Sequence, residues 1–468
     1  MTYCHGVLRS QRLSGLDASM LYLETATQPL QVFSVLELDP ATIPGGYSYD
    51  RFRDEFSARV RAIPAFREKL SDRFLNLDHP VWVEDSDFDI DRHVHRIRLP
   101  APGGRAELSE ISGHLASLPL DRRRPLWEMW VIEGFGGSLN GGRLAVLLKV
   151  HHSAADGVTY ANLLSQLCST EPDPPPPDPV EATAAPTPLR MAIGGLARFA
   201  SRPLQLAINV LPATIRAVVD TIHRAARGRA MAAPFTAPRT RLNARLTAHR
   251  NVAFARLELD DVKKVKDHFG VRVNDVAMAL VSGVVRQFLL DRGELPGSSL
   301  VALVPVSVHE PSEGLGRNQV SGMFARLQTQ IADPVERLRA LAEATTNAKE
   351  HASAIDATLL QDFSQIAGPV VLGVAKRVYA RLTQFRPMYN LVVSNVPGPQ
   401  THYFLGAEVL AIYPFGPVLH GSGLNITMWS VNGKLHVSLI SCPELLPDLW
   451  DMADGFAAGL KELLAEVG

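Results

Sequence analysis

Two adjacent histidines followed at a short distance by Asp-Gly are the residues best suited to chemistry. The run reads His151-His152-Ser153-Ala154-Ala155-Asp156-Gly157. A neutral imidazole can take the proton of a hydroxyl as its oxygen attacks an activated carbonyl. Asp156 can orient an imidazole or hold the loop through a bond to an arginine, and Gly157 permits backbone geometry that a side chain would forbid. The run predicts a general base on a strained turn.

Two other uses of such residues are disfavoured by the sequence. Neighbouring side chains at a strand end point in different directions, and no HExxH motif or nearby histidine–carboxylate set completes a metal site. No Gly-x-Ser-x-Gly run offers a serine nucleophile. We therefore predict direct transfer to an acceptor hydroxyl, with no metal and no acyl-enzyme.

The elements around the histidines are predicted from apolar patterning. Residues 143–150 form a short apolar run typical of a buried strand, and Ala161, Leu163, Leu164 and Leu167 follow with helical spacing. The histidines should therefore lie where a strand ends and a helix is about to begin. Only one imidazole of such a pair can face a cavity, because successive side chains of a strand point to opposite sides.

Two stretches divide the chain. Residues 170–179 contain six prolines, which break helices and sheet ladders, and residues 232–241 carry two more without apolar periodicity. The predicted organisation is an N-terminal half over residues 1–170 that carries the histidines, a connecting segment over 171–240, and a C-terminal half over 241–468.

Helices and strands mix in both halves. Residues 261–268 and 274–292 have helical patterns, and residues 300–306 form an apolar strand. Residues 424–431 and 434–440 flank Asn432-Gly433, a strong hairpin signal. The expected class is therefore α/β, or mixed α+β.

The connecting segment has an unusual composition between residues 190 and 229. It holds seven arginines and one acid, Asp220, among many large apolar residues. A basic amphipathic helix pair is expected, with Pro203 and Pro212 limiting its continuity. Such a pair can lie in a membrane interface or can connect the halves with its arginines solvated. The sequence leaves both open.

Overall composition restricts the class of protein. The chain has 468 residues, a formal net charge of −1 and 46% hydrophobic residues, so it can bury a large core, and nothing in its overall charge steers it to nucleic acid. Three widely spaced cysteines suggest neither a disulfide framework nor a metal pair. With no apolar signal segment at the N-terminus and no run of 18 apolar residues, we expect a cytoplasmic protein.

The histidine run resembles the HHxxxDG motif of carnitine and chloramphenicol acetyltransferases and of peptide-synthetase condensation domains. Further segments narrow the resemblance to the bacterial wax ester synthase/diacylglycerol acyltransferase family, in the right order and over nearly the whole chain. They are Leu13-Ser14-Gly15-Leu16-Asp17, Arg124-Pro125-Leu126-Trp127-Glu128, Val273-Asn274-Asp275-Val276, Val304-Pro305-Val306-Ser307-Val308 and Val393-Ser394-Asn395-Val396-Pro397-Gly398-Pro399.

This resemblance implies two chloramphenicol-acetyltransferase-like halves, each a sheet flanked by helices, with a tunnel between them. It implies that His152 is the proton acceptor and that His151 and Asp156 support the loop. Asn274 would begin a helix facing the tunnel, where its amide positions substrate or helps an oxyanion; its alternative role is a helix cap. Trp127 would brace the core under the site, and Asn395 would shape a turn between the halves.

The implied substrates are acyl-CoA, which makes a separate cofactor unnecessary, and diacylglycerol or a long-chain fatty alcohol. The products would be triacylglycerol and wax ester, made in the cytoplasm or peripherally at the inner membrane face or lipid droplets. The family often has arginine where this chain has His309, and Gln31-Val32-Phe33 also departs from its pattern. Two alternatives are an acyltransferase that uses a carrier-bound acyl group and a non-catalytic protein of lipid-droplet surfaces.

Overall fold

The computed structural model shows helices packed on two large sheets. It describes residues 12–71, 78–136, 142–155, 157–172, 174–175, 178, 188–227, 230–307, 320–354, 358–366, 374, 379, 381, 383, 385–398 and 402–467. The mixed α/β class expected from the sequence is confirmed.

Strands and helices are interspersed along the described chain. The strands are β1 (Gln31–Asp39), β2 (Glu68–Ser71), β3 (Val81–Glu84), β4 (Val94–Arg98), β5 (Trp127–Phe135), β6 (Arg143–His151), β7 (Cys168–Ser169), β8 (Asn251–Glu258), β9 (Val301–Ser307), β10 (Val320–Arg326), β11 (Leu391–Pro397), β12 (Tyr403–Phe404), β13 (Ala407–Phe415), β14 (Leu424–Val431) and β15 (Lys434–Ser441). The helices are α1 (Gly15–Leu23), α2 (Tyr49–Ala62), α3 (Arg105–Ser117), α4 (Gly157–Leu167), α5 (Pro188–Gln205), α6 (Leu211–Ala226), α7 (Leu259–Phe269), α8 (Val273–Leu290), α9 (Pro334–Ala354), α10 (Thr358–Ile366) and α11 (Leu449–Ala465).

The first sheet has the strand order β4-β5-β6-β1-β13-β12-β7. Its central strand β1 is antiparallel to β6 on one side and to β13 on the other. β12 and β13 come from the C-terminal half of the sequence, so the division expected at residue 241 is not a division in space. The reason is that β1 would otherwise expose an unpaired row of backbone N–H and C=O groups, which β13 satisfies.

The second sheet has the order β10-β9-β11-β14-β15-β8 and lies wholly within the C-terminal half. The hairpin predicted at Asn432-Gly433 joins β14 to β15 in the register Val431↔Lys434. Both turn residues have positive φ, 48° at Asn432 and 74° at Gly433. This conformation is the one that an Asn-Gly pair accepts most readily, and it confirms the hairpin.

The halves are joined by shared packing. The largest apolar cluster combines Phe33 and Leu147 of the first sheet with Phe254 and Ile426 of the second. Helix α3 of the N-terminal half lies against β8, and a Cβ on its Gly113 would approach the carbonyl oxygen of Arg250 to 2.5 Å. Glycine is therefore needed where this helix meets the second half.

The basic segment forms the two expected helices, α5 and α6, which are joined by a π-helical turn over Leu206–Val210. Pro212 lies in the first turn of α6, where a missing N–H costs little. Pro203 lies in the last turn of α5, and the α-helical pattern gives way to the π-helical turn at Leu206, in agreement with the limited continuity that was expected.

One helix has the length and apolarity of a membrane span. Among the described residues, α8 (Val273–Leu290) is long and apolar enough to cross a bilayer, but 67% of it is buried within the protein. A core helix between packed neighbours has the same properties.

Candidate active site

The two histidines are fixed in the backbone at the end of β6. The N–H of His151 donates to the carbonyl of Leu126 at 2.9 Å, and the N–H of His152 donates to the carbonyl of Leu30 at 2.8 Å. The chain then turns back, with the N–H of Ala154 bonded to the carbonyl of His151 at 2.9 Å. The residues preceding β1 and β5 therefore hold the histidine pair on both sides.

The side chain of His151 is buried and locked. Its Nδ1 accepts the backbone N–H of Ser153 at 3.1 Å and lies 2.7 Å from the Ser153 hydroxyl. A ring nitrogen that accepts an N–H carries no proton, so the neutral imidazole is protonated at Nε2. That atom lies 3.4 Å from Oε1 of Glu24, so the carboxylate favours this tautomer through its charge, while the hydrogen bond from Ser153 orients the ring.

Glu24 connects His151 to two other parts of the first half. Its Oε1 accepts the N–H of Leu30 at 3.2 Å, and its Oε2 accepts from Nε of Arg122 at 3.1 Å. Burial raises the pKa of this carboxyl, but hydrogen bonds and charges from His151 and Arg122 outweigh it and lower the pKa to about 2. Glu24 is therefore a carboxylate at neutral pH, and sequence reasoning missed it because no spacing relates it to the histidines.

His152 is in a different environment. Its side chain is half-buried, whereas His151 is 1% exposed. His152 is the first residue after β6, in the turn that precedes α4. Of the two imidazoles, His152 is the one that a molecule from outside can reach.

A buried lysine lies beneath His151 on the same face of β6. Nζ of Lys149 is 3.0 Å from Oε2 of Glu128 and donates to the carbonyls of Leu115 and Leu118 at 3.1 and 3.0 Å. Burial lowers the pKa of Lys149, and the charge of Glu128 opposes this. Its signal in the sequence was the alternation of Lys149 and His151 within an otherwise apolar strand.

Trp127 braces the strand next to the histidines. It is 2% exposed, its indole N–H donates to the carbonyl of Phe66 at 2.8 Å, and its ring stacks on His93 with centroids 4.5 Å apart. Trp127 pairs with Val150, the residue before His151. The core position that the resemblance implied for Trp127 agrees with this packing.

Gly157 is the first residue of α4, so strand, turn and helix follow one another as expected. The helix is tied to the sheet by Tyr160, whose hydroxyl donates to the carbonyl of Leu148 at 2.8 Å and lies 2.7 Å from the Ser34 hydroxyl. Asp156 and His309 lie outside the residues that the structure describes.

Asn274 belongs to a separate group at the second sheet. The amide of Asn395, on β11, donates to Oδ1 of Asn274 at 3.1 Å. The helix start is capped by Asp275, whose Oδ2 accepts the N–H of Arg272 at 2.9 Å and whose Oδ1 accepts the Thr345 hydroxyl at 2.8 Å. Capping, the alternative role considered for Asn274, is therefore performed by its neighbour.

The described residues contain no group of three or more His, Cys, Asp or Glu side chains arranged to hold a metal ion. A half-buried imidazole beside a fixed one can transfer a proton from a bound hydroxyl or water.

Comparison with known proteins identifies relatives of this architecture. Residues 13–277 match the model of the wax ester synthase/diacylglycerol acyltransferase catalytic domain, and residues 316–464 match that of the WS/DGAT C-terminal domain. A Mycobacterium tuberculosis protein named "Putative diacyglycerol O-acyltransferase" is 54% identical over 456 residues, which cover 97% of this chain and 90% of the relative.

Solved structures give the same picture of the fold. The wax ester synthase/diacylglycerol acyltransferase of Marinobacter aquaeolei VT8 is similar with a TM-score of 0.69 at 28% identity, covering 98% of this chain and all of that one. The first condensation domain of the calcium-dependent antibiotic synthetase is similar with a TM-score of 0.61 at 15% identity, over 98% and 97% of the two chains. At that identity the likeness concerns the fold alone.

Proposed function

Because the chain belongs to the wax ester synthase/diacylglycerol acyltransferase family, we propose that it transfers a long acyl chain from acyl-CoA to diacylglycerol. Long-chain fatty alcohols are the second acceptor. The products are triacylglycerol and wax ester, and free coenzyme A leaves. The acyltransferase class rests on the family, whereas the donor, the acceptors and the mechanism are our proposals.

In the proposed mechanism His152 acts as general base. It takes the proton of the acceptor hydroxyl as the oxygen attacks the thioester carbonyl, and the C–O bond forms. The C–S bond then breaks, and the imidazolium returns the proton to the departing thiolate. Transfer is direct, so no side chain is acylated and no metal or separate cofactor takes part.

The observation that carries this proposal is the contrast between the two imidazoles. Both ring nitrogens of His151 face groups of the protein, Ser153 on one side and Glu24 on the other. His152, the next residue, is half-buried. A general base must reach substrate, and His152 meets this requirement better than its neighbour.

Asn274 is proposed to assist as a hydrogen-bond donor. Its Oδ1 accepts from Asn395, which leaves its Nδ2 group as the donor that it can offer to a substrate carbonyl or to the oxyanion formed there. Donors of this kind are effective because they are already oriented when negative charge develops. Asp156 and Gly157 are assigned to the shape of the loop.

The site of action is proposed to be the cytoplasmic face of the membrane or the surface of a lipid droplet. Diacylglycerol and long-chain alcohols are held in such phases, so an enzyme that uses them has to meet a lipid surface. No partner nucleic acid is proposed, since the net charge of the chain is −1.

The test is an assay of the purified protein with radiolabelled palmitoyl-CoA and, in separate reactions, diacylglycerol or hexadecanol dispersed in detergent. Labelled triacylglycerol and wax ester are expected on thin-layer chromatography, in EDTA as well as without it. His152→Ala should lower the rate of formation of both products by about 10² to 10⁴, whereas the exposed His249→Ala serves as the matched control. Product formation by His152→Ala at the wild-type rate, or activity that EDTA removes and zinc restores, would refute the mechanism.

A further inference from the structure

The helical segment 188–226, formed by α5, the π-helical turn and α6, exposes an unusual amount of apolar surface. Of the fifteen large apolar residues that are exposed in the described part of the chain, ten lie in this segment, with exposed fractions from 42% to 63%. They are Ile193, Leu196, Phe199, Leu204, Leu206, Ile208, Leu211, Ile215, Val219 and Ile222. Isolated exposed apolar residues are ordinary, but a contiguous set indicates a binding surface.

The apolar residues of α6 share one face. Leu211, Ile215, Val219 and Ile222 follow one another at intervals of four, four and three residues, which places them in one stripe along a helix. The opposite side meets the protein body, where the hydroxyl of Thr221 lies 3.1 Å from Nε2 of His351 on α9. The stripe therefore points away from the core.

Helix α5 is held in the same way. Arg198 and Arg202, which lie one turn apart, both form ion pairs with the buried carboxylate of Asp78. Ile193 and Leu204 lie on the other side of this helix by the 3.6-residue period. The arginine pairs fix the segment to the first half, and its apolar side remains outside.

Charge distinguishes this surface from the rest of the molecule. Residues 190–229 contain seven arginines and one acid, which leaves 40 basic and 47 acidic residues elsewhere. Arg216, on α6, and Arg227, the residue directly after it, are exposed, and the described residues provide neither with an ion pair. Positive charge beside an exposed apolar stripe matches the interface of an anionic bilayer, which offers phosphates above acyl chains.

We propose that segment 188–226 docks this protein onto an anionic phospholipid surface. Its apolar stripe enters the boundary between headgroups and acyl chains, while Arg216 and Arg227 lie at the level of the phosphates. Phe363 extends the apolar surface, because it is exposed on α10 and α10 packs against the π-helical turn. The inference rests on the proposed function for its purpose, the supply of lipid substrate, but it can be tested without any substrate.

The experiment is flotation of the full-length protein with vesicles of equal parts phosphatidylcholine and phosphatidylglycerol, compared with phosphatidylcholine alone. The wild type should float with the anionic vesicles and lose binding as salt is raised. Ile208→Glu combined with Ile215→Glu should weaken binding by about tenfold or more, since two apolar contacts become charged. Leu290→Glu combined with Phe385→Glu is the matched control, because it makes the same change on exposed apolar residues elsewhere and should float as the wild type does.

A second pair of variants tests the charge. Arg216→Glu combined with Arg227→Glu should reduce binding to anionic vesicles by about tenfold or more and leave the melting temperature unchanged. Arg92→Glu combined with Arg245→Glu, at exposed arginines outside the segment, should have no effect. Equal flotation of all these variants, or of the wild type with both kinds of vesicle, would overturn the proposal.

Another copy of the chain is the competing occupant of this surface. If light scattering finds a dimer that Ile208→Glu with Ile215→Glu converts to monomers, and flotation is unaffected, the surface is a dimer interface and the proposal is wrong. Acyl transfer to hexadecanol in detergent is measured separately. If the protein floats with anionic vesicles but does not acylate hexadecanol, only the proposed function is wrong. If it acylates hexadecanol but does not float, only the docking surface is wrong.

Discussion

At the end of β6 a single residue step separates a buried imidazole, which contacts Ser153 and lies beside Glu24, from a half-buried one. His151 is held between Ser153 and Glu24, so its exchange for alanine removes a support of the turn. The backbone N–H of His152 is held by the carbonyl of Leu30, and its side chain is half-buried. The two substitutions should consequently have different effects.

The first prediction compares the two histidines. His152→Ala should lower kcat by about 10² to 10⁴, because the acceptor hydroxyl loses its base, while its melting temperature and acyl-CoA binding stay near those of the wild type. His151→Ala should lower the melting temperature together with activity. Steady-state kinetics, thermal melting and acyl-CoA binding on both variants provide the measurement. A well-folded His151→Ala without activity beside an active His152→Ala would reverse the assignment.

The second prediction concerns the carboxylate of Glu24. Its pKa is lowered from 4.5 to about 2 in the folded protein, so the ionised form stabilises the fold above pH 4.5, and this contribution is lost as the pH falls toward 2. Glu24→Gln should therefore cost about 2 kcal/mol of unfolding free energy at neutral pH and much less in acid. Denaturant unfolding of both proteins between neutral pH and pH 3.5 measures this difference. A difference that does not shrink with falling pH would contradict the role given to the charge.

At the scale of elements, two neighbouring side chains at the start of α8 have different roles. Asp275 caps the helix and bonds to α9 through Thr345, whereas Asn274 reaches β11 through Asn395. The cap formed by Asp275 contributes to stability. The hydrogen bond between the amides of Asn395 and Asn274 joins the start of α8 to β11 and orients the Nδ2 donor of Asn274.

The third prediction follows from this separation. Asn274→Ala should lower kcat by about tenfold to a hundredfold with little change in melting temperature, because an oriented donor is lost from the transition state. Asp275→Ala should lower the melting temperature, since a helix cap is worth about 1 kcal/mol. Asn395→Ala should resemble Asn274→Ala in kinetics. If Asn274→Ala acts mainly on the melting temperature, the amide pair is structural.

The parts of the molecule that the sequence predicted well are those determined by neighbours in the chain. The strand before the histidines, the helix after them and the hairpin at Asn432-Gly433 depend on apolar period and turn chemistry, which are local. The partners that fix the site come from far away: Glu24 lies 127 residues from His151 in the chain, and Asn395 lies 121 residues from Asn274. No local pattern specifies such contacts, and the insertion of β13 into the first sheet was missed for the same reason.

At the scale of the whole molecule, a neutral histidine forms a hydrogen bond between the two sheets. Nδ1 of His436, on β15 of the second sheet, accepts the backbone N–H of Ile412, on β13 of the first sheet, at 3.1 Å. Burial, with Arg256 nearby, lowers the pKa of His436 to about 4. A ring protonated at Nδ1 could not accept this hydrogen bond, so the contact between the sheets depends on the neutral form.

The fourth prediction is a pH dependence of stability. An unfolded histidine takes up its proton near pH 6.5 and the folded His436 only near pH 4, so unfolding binds a proton between these values and stability falls as the pH drops from 6.5 to 4. His436→Gln, which keeps an acceptor but does not titrate, should have a flatter profile in this window. Melting temperatures in steps across the window give the comparison. Parallel profiles would mean that other groups account for the slope.

The fifth prediction concerns β13, which belongs to the C-terminal half of the chain but lies in the first sheet. Residues 1–180 produced alone should be insoluble or poorly folded, because β1 then lacks the strand that pairs with Phe33 and Val35. Co-expression with residues 181–468 should restore a soluble complex, since the break falls in the proline-rich linker. A soluble, cooperatively melting 1–180 fragment would contradict this view of the first sheet.

The crossing of Ala407–Phe415 into the first sheet also limits how such a protein can be rebuilt or can diverge. If the N-terminal half came from a relative, the β1 of that relative would have to pair with the β13 of this chain. The pairing would have to keep the register Phe33↔Phe415 to Asp39↔Glu408. Recombination at the linker is therefore expected to give working chimaeras only when β1 and β13 are exchanged together. The two strands must therefore be inherited together although they lie near opposite ends of the chain, and neither half can be exchanged independently.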